Sequence, residues 1–404
     1  MARGYNRLPL AAALLAAASS ASAGIVIPAG DWTVDIGGNV NAFYSNKSID
    51  STARVGGAKT SSPDTNTIGT GLLPAAFGIG AKSRQNDLDV AFQFSFFTGT
   101  SSGDNVLQTN GNAISANSGG AAGNNTLNIR QAFVSVGDAS WGTIKAGRDL
   151  GVFGSDAILS DMTLLGVGTG GPTGGSSTLG RIGSGYIYAD WKGQFQYASP
   201  SFNGFQVTGS INENFRPSTA TLNTVNQSGM DYEAKATYDF AANDVTGRVW
   251  VGGITQKTEF TSGTGNYTSN GFDIGAKASF AGATLVGYYY DGKGLDSQNV
   301  LLQGLFNGNG IKSKDSGGYV QATFVVPGVG TKLGASWGES NSKDNTSTFD
   351  IKNESWIIGA YHPLTKSLNL VAEYTNQEVK NSGSAATYSK INRDTVALGA
   401  ILFF

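Results

Sequence analysis

The sequence Trp141-Gly-Thr-Ile-Lys-Ala-Gly-Arg148 alternates between two faces, and a long segment without that alternation follows it. The segment is Asp149–Gly183, 35 residues of which ten are glycine, and it contains the apolar patch Ile158–Leu165. Loops longer than about 12–15 residues are uncommon in compact domains and are often functional. Because this segment is apolar and carries little charge, we expect it to fold inside a structure that the surrounding strands enclose.

Alternation with a period of two extends outward from this segment over most of the chain, and it predicts β-strands rather than helices. In the clearest example, residues 87–96, five apolar side chains share one face: Leu88, Val90, Phe92, Phe94 and Phe96. Long polar loops, the first at Asn46–Leu73, separate pairs of strands that are joined by short turns. Past the central loop, a strand is predicted at Tyr186–Ser199. Eight long and seven short connections give sixteen strands.

Three architectures accommodate sixteen such strands: a soluble sandwich, a solenoid and a closed barrel. Sandwich strands usually have about five or six residues, whereas many of these approach the roughly nine to eleven that span a bilayer when tilted. A solenoid would show a fixed repeat, and this sequence has none. Closure satisfies every backbone group in lipid, and an even strand count with short turns at one end is typical of outer-membrane barrels. The predicted fold is all-β: a 16-stranded antiparallel transmembrane β-barrel with the third long loop, 149–183, folded into its lumen.

The beginning of the chain has the pattern of a secretory signal peptide over residues 1–23. Arg3 and Arg7 precede the apolar run Leu8–Ala18, and the small residues Ala21-Ser22-Ala23 form a cleavage site. We expect residues 24–404 to form a single transmembrane barrel domain.

The end of the chain is an alternating strand, Asp394–Phe404, that finishes on an aromatic residue. A soluble protein seldom exposes such a tail, whereas a barrel can pair it with the first strand, near Trp32–Tyr44. We therefore predict that Phe404 contributes to barrel closure and assembly in the bacterial outer membrane.

Composition argues against several other functions. The chain has no cysteine and a single histidine, His362, which lies in a predicted turn. Nucleophile–histidine catalysis and histidine or thiolate metal sites are therefore disfavoured, and we predict no enzyme activity, no catalytic residue, no metal and no cofactor. The formal net charge of −2 gives no basic stripe, so we also predict no nucleic-acid partner.

A barrel this wide leaves an aqueous channel, and its narrowest ring then determines what passes. Six charged residues near the central loop are the candidates for this constriction: Arg130, Arg148, Arg181, Asp149, Asp156 and Asp161. The alternation places Arg130 on a polar face. It places Arg148 on an apolar face unless Gly147 permits a β-bulge that turns the arginine inward. An arginine at a strand end is also commonly a solvated rim residue.

Three segments resemble the trimeric general porins of Gram-negative outer membranes: Ile129–Val136, Trp141–Asp149 and Ser155–Met162. The resemblance implies a homotrimer in outer-membrane lipid, with the third external loop inside each barrel and with Arg130 and Arg148 lining the constriction. Many members of that family carry a glutamate after the Asp-Met step of this loop. This chain has Thr163–Gly166 there, so its constriction would have fewer acidic residues than in those members.

Two channel functions remain open. The first is passive diffusion of small hydrophilic solutes and ions, with a weak anion preference or at most a weak cation preference. The second is a substrate-specific channel for small organic acids or aromatic compounds. Four residues predicted to line the lumen wall would suit it: Tyr186, Tyr188, Asp190 and Lys192. The same rings are equally compatible with packing in the wall.

Overall fold

Sixteen antiparallel strands form a closed barrel, as the alternation predicted. The computed structural model describes residues 24–100, 113–114, 127–170, 178–213, 225–226, 229–260, 267–295, 312–345, 350–384 and 386–404, so the predicted signal peptide lies outside the described residues. In chain order the wall strands β1 to β16 are Trp32–Ala53, Ala75–Gln85, Leu88–Thr98, Leu127–Asp138, Gly142–Leu150, Trp191–Ala198, Phe205–Glu213, Met230–Ala242, Val245–Phe260, Tyr267–Phe280, Ala283–Lys293, Lys314–Val325, Lys332–Lys343, Asp350–Pro363, Leu368–Asn381 and Tyr388–Phe403.

The barrel closes between β1 and β16, whose register runs from Asn39 opposite Phe403 to Ala53 opposite Tyr388. Just beyond β16, the Phe404 backbone exchanges hydrogen bonds of 3.0 and 3.1 Å with Gly38. The first and last strands of the chain therefore form the seam. This pairing leaves no unpaired edge along the seam.

The prediction of a loop at Asn46–Leu73 is wrong over most of that range. The strand β1 continues to Ala53, and a second strand, Lys59–Gly69, pairs back onto it. Polar residues here form strand because β16 extends equally far and supplies backbone partners. Three shorter strands add to other parts of the wall: Ile25–Ala29, Ala113–Ile114 and Val225–Asn226.

The two faces of the wall differ in polarity. In β16, Val396 and Leu398 are exposed on the outer face, whereas Thr395 and Ala397 are buried on the inner one. The same alternation recurs around the barrel, with large apolar side chains outside and mostly polar ones inside. An apolar outer band of this kind is what lipid requires of a membrane barrel.

The central loop carries the helical structure of the described residues: an α-helix, α1, at Ser155–Ser160 and a 3-10 turn at Met162–Leu165. No described helix has the length and apolar character needed to cross a membrane.

The predicted strand Tyr186–Ser199 begins later than expected, at Trp191. Ile187, Tyr188 and Ala189 alternate in sequence, yet all of them are buried. They belong to the loop, where both sides of an extended segment are covered, so the apparent two-residue period does not mark a wall strand.

Candidate functional site

The central loop is hydrogen bonded to side chains on the inner face of strands far apart around the barrel. The wall partners are Glu233 on β8, Asp273 on β10, Tyr319 and Gln321 on β12, Ser336 on β13, Ser355 on β14 and Glu373 on β15. All of them lie on the face opposite the exposed apolar band. A segment that contacts this face over so many strands lies inside the barrel.

Two carboxylates hold the start of the loop. Glu233 Oε2 accepts hydrogen bonds from the backbone N–H groups of Val152 and Phe153, at 2.5 and 2.8 Å. Asp273 Oδ2 accepts one from Gly154 N, at 3.1 Å. These donors lie just before α1, where backbone N–H groups have no partner within the helix. The two acids therefore fix the entry of the loop to the wall.

A third carboxylate holds the loop further along. Glu373 Oε2 accepts hydrogen bonds from Val167 N at 2.8 Å and Gly168 N at 2.7 Å. Its other oxygen accepts one from Tyr361 Oη at 2.6 Å. Hydrogen bonds to a charged acceptor are roughly twice as strong as neutral ones. Glu373 therefore anchors the loop to the wall at a second place, after its helical part, whereas Glu233 anchors it before that part.

Apolar packing completes the attachment. Phe153, Ile158 and Leu164 of the loop belong to one buried cluster with inward-facing aromatic residues of β9 to β12: Trp250, Tyr288, Tyr290 and Tyr319. Full burial of a large apolar side chain stabilises a fold by about 1.5–3 kcal/mol. The inner face of these strands is therefore locally apolar because it supports the loop.

Arg130 lies at a break in the ladder between β3 and β4. Ser95 pairs with Gln131, whereas the next residue, Phe96, pairs with Ile129. Arg130 is thus the extra residue of a β-bulge, which locally disrupts the alternation of a strand. As a result Arg130 and Gln131 are adjacent in sequence and both buried.

The Arg130 side chain is only 4% exposed. Its guanidinium carbon lies 4.6 Å from the ring centroid of Phe97 and 5.7 Å from that of Trp191, which are cation–π distances. Its Nε has no hydrogen-bond partner among the described residues. The aromatic rings therefore provide much of its contact surface.

Arg148 is placed without the β-bulge that the sequence suggested. The ladders on both sides of β5 pass through Gly147 with no register shift, although Gly147 has a φ of +126°. Arg148 Nε donates a hydrogen bond to Ile129 O at 3.0 Å, and its Nη1 lies 3.5 Å from Glu213 Oε1. Arg148 therefore contacts residues of β4 and β7, close to the point where the loop begins.

Arg181 is fully buried in the loop and connects it to β13 and β14. Its guanidinium donates hydrogen bonds to Ser336 Oγ at 2.7 Å and to Ser355 Oγ at 3.1 Å. Burial lowers the pKa of Arg181 to about 10, against the opposing effect of Asp161, so the side chain stays charged at neutral pH. Asp161 in turn accepts hydrogen bonds from Arg181 N at 3.2 Å and Tyr186 Oη at 2.8 Å.

The other two aspartates have basic partners that the sequence did not identify. Asp149 forms a salt bridge with Lys145. Asp156 lies 2.6 Å from Lys235 Nζ and 2.9 Å from Arg248 Nη1. Burial acts to raise the pKa of Asp156, but these two cations hold it below its ordinary value. Asp156 and the pair on β8 and β9 thus place opposite charges on the loop and the wall.

Lys192, Asp231 and Glu233 form a buried ionic cluster in the wall. Lys192 Nζ lies 2.7 Å from Asp231 Oδ2 and also forms a salt bridge with Glu233. All three side chains have zero exposure. Removing one member of a buried ion pair leaves an uncompensated charge. Lys192 therefore supports the loop anchor Glu233 rather than an open surface.

Three other residues predicted to line the lumen also lie in buried contacts. Tyr186 binds Asp161, Tyr188 Oη accepts a hydrogen bond from Trp191 Nε1 at 2.7 Å, and Asp190 Oδ1 accepts one from Trp191 N at 2.6 Å. Alternation alone could have placed Glu233 and Lys235 on an inner face, but nothing in the sequence indicates which loop atoms they meet.

A cavity opens at each end of the barrel. The one at the short-turn end has about 980 Å³, and charged residues of both signs line it: Asp31, Lys82, Arg84, Asp89, Lys145, Asp239 and Arg248. The one at the long-loop end has about 270 Å³ and lies against Leu179 and Ile182 of the loop. Among the described residues no group of His, Cys, Asp and Glu side chains has an arrangement suited to a metal ion.

Comparisons with known proteins agree with this architecture. A family model described as Gram-negative porin matches residues 10–382. The chain is similar in fold to the outer membrane channel DcaP of Acinetobacter baumannii, with 16% identity, a TM-score of 0.64, and coverage of 95% of this chain and 100% of that one. The fold is also similar to that of OmpF of Salmonella typhi in a complex with daunomycin, with 15% identity, a TM-score of 0.54, and coverage of 94% of this chain and 100% of that one. For OmpT of Vibrio cholerae in its trimer form, the identity is 16%, the TM-score is 0.52, and the coverage is 92% of this chain and 99% of that one. No curated protein matches the chain.

Proposed function

The chain belongs to the Gram-negative porin family, whose members are outer-membrane channels rather than enzymes, and we propose that it mediates passive diffusion of small hydrophilic solutes and ions. The observation that carries this proposal is the ion cluster of Asp156 on the loop with Lys235 and Arg248 on the wall. Arg248 is 32% exposed and lines the large cavity at the short-turn end. Fixed charges at such a border act on the ions that pass it.

The proposed constriction lies where the loop meets the wall. It keeps the candidate residues Arg130, Arg148, Arg181, Asp149, Asp156 and Asp161, with two additions from the geometry, Lys235 and Arg248. In this proposal the residues act in two ways. Arg248 meets passing ions at the cavity and Asp156 changes the net charge of its cluster, whereas Arg181 and Asp161 hold the loop in position through buried contacts.

We also propose that residues 1–23 are removed on export, that residues 24–404 form the single mature barrel domain, and that three copies assemble in outer-membrane lipid. The trimer rests on the sequence resemblance and on the similarity in fold to OmpT in its trimer form. Cross-linking of detergent-purified protein, followed by mass measurement, tests it, and a monomer at all concentrations would contradict it.

The test of the channel is reconstitution of the mature protein in planar bilayers and in liposomes. A passive channel gives ohmic single-channel steps, and liposome swelling rates fall smoothly with solute size. A channel specific for one solute would instead saturate with that solute. The absence of any conductance from correctly folded protein would exclude both.

A further inference from the structure

The cavity at the long-loop end differs from an ordinary aqueous mouth in its lining. Much of its surface is apolar, from Leu179 and Ile182 of the loop and from Ile351, Val379 and Ile391 of the wall. Its volume of about 270 Å³ is close to the lower limit of small-molecule sites, roughly 300–1,000 Å³. Such a lining favours a ligand with a compact apolar body.

Arg393 on β16 is the one charged residue among the described residues that line this cavity. Its Nη1 lies 3.4 Å from Gln377 Oε1, a long hydrogen bond. No described acidic side chain forms a salt bridge with it, and no Asp or Glu belongs to the described lining. The guanidinium therefore retains donors for an anion from outside.

A second cation stands beside it. Lys47 on β1 lies opposite Thr395, and Arg393 lies opposite Ile49, so the two cations are diagonal neighbours on one face of paired strands. Such neighbours are about 7–8 Å apart, and the positive charges of Lys47 and Arg393 repel each other. A Cβ atom placed on Gly170, which lines the cavity, would lie 3.3 Å from Lys47 Nζ. No described acid forms a salt bridge with Lys47.

The polar groups around these cations are largely committed to other contacts. Asn353 Nδ2 donates a hydrogen bond to Gly183 O at 2.6 Å, and Gln377 Nε2 donates one to Asn353 Oδ1 at 2.9 Å. The amides thus fix the loop and one another. The cations then remain as the groups that can recognise a charged ligand.

We propose that this cavity binds a small organic anion with an apolar body, such as a one-ring carboxylate, at the long-loop mouth of the channel. Arg393 would hold the carboxylate, with Lys47 adding a second positive charge, and the apolar lining would cover the ring. An arginine fork matches the geometry of a carboxylate. The inference rests on the proposed channel function, so binding and conduction are measured separately.

The binding test is calorimetric titration of the mature protein in detergent with benzoate. Acetate, which lacks the ring, and benzyl alcohol, which lacks the charge, serve as matched probes, and both are expected to bind at least about tenfold more weakly than benzoate. The substitution Arg393→Gln is expected to weaken benzoate binding by about 10- to 100-fold, because it removes hydrogen bonds to a charged group. Arg393→Lys should restore part of that loss.

The control is Lys390→Gln, on the same strand, where Lys390 is paired with Glu378 outside the cavity. It should bind benzoate like the wild type. Equal affinity for benzoate and acetate, or unchanged benzoate affinity in Arg393→Gln, would overturn the proposal. The wild-type probes decide the question even if a variant fails to fold. Binding without conductance would refute the channel and keep the site, whereas conductance without benzoate binding would refute the site alone.

Discussion

The two mouths of the barrel are built from the same wall strands but balance their charges differently. At the short-turn end, Lys82, Arg84 and Lys145 share a cavity of about 980 Å³ with several aspartates. At the long-loop end, Arg393 lines a cavity of about 270 Å³ that has no acid among its described lining residues. The difference shows that net charge, at −2 for the whole chain, says little about the field that a solute meets at either mouth.

The central loop contacts residues that line both cavities, so a substitution that detaches the loop from the wall should change the channel most. Glu373→Ala leaves the N–H groups of Val167 and Gly168 without their acceptor, at a cost of about 1–3 kcal/mol each if they stay buried. We expect a loosened loop, single-channel conductance raised severalfold and a lower thermal midpoint of unfolding. The matched control is Glu378→Ala, on the same strand but paired with surface lysines. An unchanged conductance in Glu373→Ala would mean that this anchor does not limit the pore.

Removing an acid at the other contact of the loop should shift selectivity without opening the pore. Asp156→Asn uncovers the charges of Lys235 and Arg248. A unit charge about 7 Å from an ion in water is worth roughly 0.6 kcal/mol, so we expect a change of about two- to threefold in the permeability ratio, toward anions. The measurement is the reversal potential in a salt gradient. Arg248→Gln should move it in the opposite direction, and shifts of the same sign would contradict this arrangement.

A smaller effect is expected from Arg148→Ala, because Arg148 is partly buried and close to Glu213. Conductance should rise slightly and the reversal potential should move toward cations. Lys82→Ala, in the short-turn cavity, is the comparison variant. If Arg148→Ala is indistinguishable from the wild type in both measurements, this arginine does not belong to the constriction.

Deletion of Phe404 should have the smallest effect on the channel itself. The residue forms backbone hydrogen bonds with Gly38 at the seam, away from the contacts of the loop. We expect less folded protein in the outer membrane, measured by heat-modifiable mobility on gels, with the conductance of each folded channel unchanged. An unaltered folded yield would contradict a role for Phe404 in assembly.

The sequence by itself determined the wall. A two-residue period with apolar side chains on one face describes a strand between lipid and water, and Val396 and Leu398 lie on the outer face as the alternation predicted. Local patterns are sufficient here because each strand follows the same rule whatever its neighbours are. The pairing of the last strand with the first followed from the need for closure, and the register from Asn39 to Ala53 confirms it.

Only the tertiary structure decided what the inner face does. The β-bulge at Arg130 depends on how β3 meets β4, and it turned two consecutive residues inward where alternation allows one. The partners of the loop, Glu233, Asp273 and Glu373, lie about 80 to 206 residues from the atoms they bind. Such contacts depend on the register and closure of the whole barrel, which no local pattern encodes. The unbalanced pair Lys47 and Arg393 likewise exists because closure places the first strand beside the last.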